Sequence, residues 1–163
     1  LLSDNPFSTE KFQSCFMYEK DKILELGYPA NDPLYDKDLD KKADELKTKL
    51  GIPKNKKVLL YAPTWRDDNS YGAGEYKFEL ALDLKRLKEE IGDEYVILLR
   101  MHYWIVDKLD LTGMSDFVIN VSNYSDITDI YIVSDICMTD YSSVFFDYAN
   151  LKRPILYLSL IHI

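Results

Sequence analysis

The sequence predicts an α/β fold, a parallel sheet flanked by helices, on three observations. Short apolar runs of strand length recur at residues 58–62, 95–101, 117–121, 136–139 and 155–157. The stretches between most of them carry apolar residues at helical spacing. The runs are apolar nearly throughout rather than alternating with polar residues, which marks strands buried on both faces. Strands alternating with amphipathic helices build a parallel sheet.

The elements follow in order. A short helix begins around Ser8 after Pro6, with Phe12, Cys15 and Phe16 on one face. Gly27-Tyr28-Pro29-Ala30-Asn31-Asp32-Pro33 is punctuated by glycine and proline and is the best candidate for a domain boundary. Leu39, Ala43, Leu46 and Leu50 give a helix that Gly51 can close and that Pro53 prevents from continuing. After the first strand, residues 67–76 read as a polar loop. Leu80, Leu84, Leu87 and Ile91 form a helix ended by Gly92. Ser125 or Asp126 can cap a helix running through Val133, and Ser142 or Ser143 one running through Asn150.

Composition excludes several function classes. With 28 acidic against 20 basic residues the net charge is −8, a surface that repels nucleic-acid backbones and gives no sign of adhesion to anionic lipid. No apolar run approaches the ~20 residues of a membrane span, and no secretory signal leads the chain. Apolar residues make up 47% of the sequence, enough for a full core, to which thirteen tyrosines and seven phenylalanines add bulk. Cys15 and Cys137 lie far apart without metal-type spacing and read as reduced, mostly buried thiols.

Parallel sheets bind ligands beyond the carboxyl ends of their strands, and three such ends carry unusual polar groups. The first runs into Pro63-Thr64-Trp65-Arg66-Asp67, the second into Arg100-Met101-His102, the fourth into Thr139-Asp140-Tyr141-Ser142-Ser143. Ser142 and Ser143 stand where a helix begins, where unpaired backbone N–H groups and a partial positive charge favour an anion; with Thr139 they could cradle a phosphate. The plain alternative is helix capping by one serine. Arg100 and His102 share one strand face; Arg100 can hold phosphate oxygens and His102 can donate a proton, or both can sit at a solvated strand end. Arg66 can clamp a diphosphate, or stack on Trp65 and pair with Asp67 or Asp68. Asp147, about one turn into the last helix, can accept from ribose or polyol hydroxyls, or be an ordinary helix carboxylate. Asp67, Asp68 and Asp140 make a poor metal set without His or Cys partners. No metal and no cofactor is expected, since cationic side chains and a helix terminus can neutralise a diphosphate.

With these blocks in view, the sequence resembles the CDP-glycerol glycerophosphotransferase family of wall teichoic acid synthesis. Leu60-Tyr61-Ala62-Pro63-Thr64-Trp65-Arg66-Asp67 is similar to one family signature and Arg100-Met101-His102 to the next. The run from Asp135 to Ala149, followed by Lys152-Arg153-Pro154-Ile155, is similar to a third and very specific block. Gly27-Tyr28-Pro29 with Asn31-Asp32 looks like an earlier block, although Ala30 stands where the family usually has arginine. The resemblance implies a GT-B architecture of two facing Rossmann-like domains. Residues 1–35 would be the end of the acceptor-side domain and the connection, and residues 36–157 an incomplete nucleotide-binding domain.

The resemblance further implies transfer of glycerol phosphate, or ribitol phosphate in some members, from the CDP-alditol to a polyprenyl-linked chain at the cytoplasmic face of a bacterial membrane. CMP is released. His102 would contact the diphosphate and assist the departing CMP. Thr139, Ser142 and Ser143 would hold phosphate oxygens, helped by Arg66 and Arg100. Membrane association would be peripheral and through parts outside this chain. A second essential histidine of the family, in a Trp-His-Gly-Thr-Pro-type segment, is not in this sequence, so the acceptor-side base is expected elsewhere and the chain alone should not turn over. Residues 158–163 are what CTGTCTCTTATACACATC encodes, a transposase end used as a sequencing adapter, and are set aside from the fold together with His162. Two other readings compete: a GT-B glycosyltransferase using a nucleotide sugar, and a non-catalytic nucleotide-binding domain.

Overall fold

The computed structural model describes residues 1–64, 80, 82–101 and 111–158, and the chain divides into two compact units, residues 1–36 and 37–163. In the first unit, β1 (Leu2–Ser3) pairs in parallel with β2 (Leu24–Glu25), and α1 (Pro6–Phe16) runs between them. Asn5 caps α1, its side chain accepting from the Ser8 amide at 2.9 Å, and Pro6 takes the first helical position, where no amide partner is needed. The helix therefore starts two residues before Ser8. Thr9 ties the unit together: its hydroxyl lies 2.6 Å from that of Ser3 and donates to Glu25. Cys15 is exposed, a correction to its expected burial, because its helix buries only Thr9. A 3-10 segment over Pro29–Tyr35 closes the unit. The pairing of β1 with β2 was not expected; two-residue strands leave no periodic pattern to read.

The second unit is a five-stranded sheet, every pair parallel, in the order β5-β4-β3-β6-β7. These are β3 (Lys57–Ala62), β4 (Tyr95–Leu99), β5 (Val118–Asn120), β6 (Ile136–Thr139) and β7 (Ile155–Tyr157). Helices α2 (Leu39–Lys49), α3 (Leu84–Ile91), α4 (Ile127–Val133) and α5 (Val144–Tyr148) connect or flank them. Leu59, Tyr61, Ile97 and Leu99 point to one face and form a buried cluster with Leu84 of α3, Met114 and Phe117. Their neighbours Val58, Leu60, Val96 and Leu98 point to the other face and are no more than 1% exposed. Both faces are thus covered, as the unbroken apolar runs predict. Truncating Leu60 or Leu98 to alanine removes packing worth roughly 2–5 kcal/mol.

Local chemistry sets the helix ends. After α2, Gly51 takes φ +70°, the Ile52 amide donates to Lys47 O and the Gly51 amide to Thr48 O; this paired closure needs a left-handed residue. Asp83 caps α3 through the Lys85 and Arg86 amides, so the helix begins at Leu84 and Leu80 lies before it. Asp126, not Ser125, caps α4, accepting from the Thr128 amide. β4 stops at Leu99, short of Met101. Leu158, expected to lie outside the fold, donates its amide to Thr139 O and packs against the buried cluster.

The carboxyl end of α4 is held by two side chains, one from α5 and one from the turn after it. Arg153 Nη1 donates to Ile132 O at 2.7 Å and to Ser134 O at 2.6 Å. The fully buried Tyr148 donates its hydroxyl to Ser134 O at 2.8 Å and meets Tyr131 edge to face. The last carbonyls of a helix have no intrahelical partners, and here a guanidinium and a phenol supply them.

Candidate functional site

Strand order fixes where a ligand can enter. From β3 the chain steps outward through β4 and β5, then returns to the other side of β3 and steps outward through β6 and β7. The order reverses between β3 and β6, and open sheets of this kind form a crevice beyond the carboxyl ends of the two strands at such a reversal. Ala62, the last residue of β3, is in register with Thr139, the last of β6. The loops leaving these two residues are the ones that carry the Pro63-Thr64 and Asp140-Tyr141-Ser142-Ser143 blocks.

Asp140 joins them. It is 7% exposed, and its Oδ1 accepts from the Thr64 amide at 2.8 Å, the Thr64 hydroxyl at 2.5 Å and the Tyr141 amide at 2.8 Å. Sequence reasoning missed this role. The available signal was a carboxylate following one buried strand while a threonine follows its neighbour.

The expected ligands are placed differently from one another. Ser143 is exposed and occupies the N-cap position of α5 in helical geometry, with no side-chain capping bond. Ser142 is partly buried, its Oγ accepting from the Val144 amide at a long 3.4 Å. The expected helix through Asn150 is shorter: α5 ends at Tyr148 and a 3-10 turn follows over Ala149–Leu151. Thr139 is fully buried and its hydroxyl donates to Ala62 O at 2.6 Å, joining β6 to β3. Arg100 is partly buried, and its Nη1 donates to Val121 O at 3.0 Å and Tyr124 O at 2.8 Å, so it holds the turn after β5. Burial lowers its pKa, with Tyr131 and Asp126 acting the other way. Asp147 is partly buried on α5, near enough to Tyr131 to add to the effect of burial in raising that phenol's pKa. Arg66 and His102, with Trp65, Asp67, Asp68 and His162, lie outside the described residues.

Beside Asp140 a cavity of about 520 Å³ is lined by Tyr141, Phe145, Phe146, Tyr157 and Leu158. Phe145 packs on Phe146 at 4.0 Å and edge to face on Tyr157 at 5.5 Å. Among the described residues no cluster of three or more His, Cys, Asp or Glu could hold a metal ion.

A parallel sheet whose strand order reverses in this way is the Rossmann-like fold from which GT-B transferases and their relatives are built. The UDP-GlcNAc 2-epimerase of Neisseria meningitidis shares the fold at a TM-score of 0.55 and 19% identity, over 94% of this chain and 43% of that one. Within that class the chain belongs to the CDP-glycerol:poly(glycerophosphate) glycerophosphotransferase family, which it matches over residues 1–160. It is 53% identical to the teichoic acid poly(glycerol phosphate) polymerase of Staphylococcus epidermidis over 94% of its own length and 22% of the relative's. It is 51% identical to the teichoic acid glycerol-phosphate transferase of Staphylococcus aureus, over 94% of this chain and 39% of the relative. A solved structure of the wall teichoic acid polymerase TagF superposes with a TM-score of 0.86 at 51% identity, over 98% of this chain and 38% of that one. More distant are the Bacillus subtilis glycerol-phosphate primase at 34% identity over 90% of this chain and 35% of the relative, and the Bacillus spizizenii poly(ribitol-phosphate) polymerase at 35% over 88% and 23%. The chain thus spans well under half the length of the relatives it matches.

Proposed function

We propose that this chain is the donor-binding part of an enzyme that transfers glycerol phosphate from CDP-glycerol to a lipid-linked teichoic acid chain. One observation carries the reading: the loops that meet at the reversal of strand order bear two of the blocks by which the sequence resembles the family. Glycerol is favoured over ribitol, and chain extension over priming, because relatives named for glycerol-phosphate polymerisation or transfer are 48–53% identical, whereas the glycerol primase and the ribitol polymerase are 34% and 35% identical.

In this reading an acceptor hydroxyl attacks the glycerol-bearing phosphorus. The bond from that phosphorus to the bridging oxygen breaks, and the electron pair leaves with CMP. Positioning and charge neutralisation supply most of the acceleration in phosphoryl transfer. Arg66, Ser142 and Ser143 hold diphosphate oxygens, His102 donates its proton to the departing CMP, and Asp147 accepts from ribose or polyol hydroxyls. Arg100 and Thr139 serve at one remove, Arg100 through the turn over residues 121–124 and Thr139 through the junction of β3 with β6. The base that takes the acceptor proton belongs to the acceptor-side domain, of which residues 1–35 are the end, while residues 36–157 bind the donor. Action at the cytoplasmic membrane face, through peripheral association outside this chain, completes the proposal; no helix among the described residues is long and apolar enough to cross a membrane.

Isothermal titration of the chain with CDP-glycerol and with UDP-sugars, beside a radiolabel transfer assay, tests this. Weak binding of CDP-glycerol without turnover is expected. Preference for a UDP-sugar, or robust transfer by the chain alone, contradicts it.

A further inference from the structure

We infer that Asp140 is a positioning residue that locks the loop after β3 to the loop after β6, so that ligands carried on the two loops meet one diphosphate. The inference rests on the donor-binding reading above but adds a role to a residue outside that ligand set. A carboxylate 7% exposed at the mouth of a crevice is costly to bury unless its lone pairs are satisfied. Here one oxygen takes three donors, two of them from Thr64, across 76 residues of chain. Thr64 is followed directly by Trp65 and Arg66, and Asp140 by Tyr141, Ser142 and Ser143. The strand register alone does not place these loops, because both continue past the last paired residues, Ala62 and Thr139. The hydrogen bonds to Asp140 extend the junction one step beyond the sheet, into the segments that face the ligand.

Substitution separates this role from catalysis. A hydrogen-bond acceptor needs an oxygen, and the amide oxygen of asparagine can receive the same three donors. A general base or a metal ligand needs the carboxylate itself.

Asp140→Ala, Asp140→Asn, Thr64→Val and Thr64→Ser in the full-length protein, read by two measurements, test it. Hydrogen exchange followed by mass spectrometry needs no substrate. Asp140→Ala is expected to speed exchange about tenfold or more in the segments around residues 62–64 and 140–144 together, and Asp140→Asn to leave both near the parental rate. In steady-state transfer, Asp140→Ala should lower kcat/KM for CDP-glycerol about 100-fold, the scale set by ångström misplacement of reacting groups. The acceptor KM should be unchanged, and Asp140→Asn should recover activity to within about fivefold of the parent. Parental exchange in both segments for Asp140→Ala overturns the proposal, as does an Asp140→Asn protein as inactive as Asp140→Ala. If Asp140→Ala does not fold, Thr64→Val decides. A roughly fivefold rise in donor KM that Thr64→Ser reverses supports the lock, and parental kinetics overturn it. Absence of CDP-glycerol transfer by the parent would refute the donor reading, and the exchange data would still decide the lock.

Discussion

At the amino edge of the sheet, polar side chains close on the fold's own backbone. Asp135 Oδ2 accepts the Val58 amide at 2.7 Å, and Arg153 holds the last carbonyls of α4. At the carboxyl edge Asp140, Thr139 and Arg100 do the same work, while Tyr141, Ser143 and Phe146 stay exposed beside Asp140. The same residue types therefore serve two ends. Where chain returns to the sheet they satisfy helix termini and strand starts; where chain leaves at the reversal of strand order some join the two loops and others stay exposed. An Asp or Arg beside a strand says little until the edge it occupies is known.

The sharpest way to break this contrast is at His102. His102→Ala in the full-length protein should lower transfer by about 10²–10⁴-fold, the range for loss of a proton-transferring group, and leave the urea midpoint unchanged. A variant that unfolds early while its folded fraction still transfers would assign His102 to stability instead. Arg153→Met should do the reverse. Leaving α4 carbonyls without their charged donor should cost about 2–3 kcal/mol in urea unfolding, with CDP-glycerol affinity of the folded fraction retained. Ser142→Ala combined with Ser143→Ala should weaken CDP-glycerol about tenfold by titration and move stability by less than about 0.5 kcal/mol. Unchanged affinity would return both serines to the ordinary surface.

The two thiols sharpen the comparison least but most cheaply. Burial pushes the Cys137 thiol from 9.0 up to about 12, whereas Cys15 is exposed. At pH 8 a thiol reagent should label one cysteine in the folded chain and two in urea. The unfolded thiol ionises first, so this group's contribution to stability is complete below pH 9.0 and is lost as pH rises toward about 12.

Legibility followed the same division. β6 and the start of β7 could be read residue for residue, because short, largely apolar runs such as Ile-Cys-Met-Thr and Ile-Leu-Tyr between turn residues have few other folded solutions. Gly51 was readable as a helix end because a left-handed closure is a local event. Thr139 and Arg100 were not readable as framing groups: their acceptors, Ala62, Val121 and Tyr124, lie 21 to 77 residues away, and only topology brings them close. Asp140 escaped for the same reason. α5 proved shorter than its apolar pattern suggests, since its end tightens into a 3-10 turn over Ala149–Leu151 that Lys152 closes in left-handed geometry.

The central place of β3 has a consequence for assembly. Its two neighbours arrive from different stretches of chain, β4 first and β6 only after β5 and α4 have been made. Closing the longer loop carries the larger entropy cost and belongs to the slower part of folding. A nascent chain that ends before Ile136 can pair β3 with β4 and β4 with β5, yet it has no crevice at all, because one wall has not been synthesised. On the proposed reading, a donor can be held only once the segment from Ile136 onward has docked.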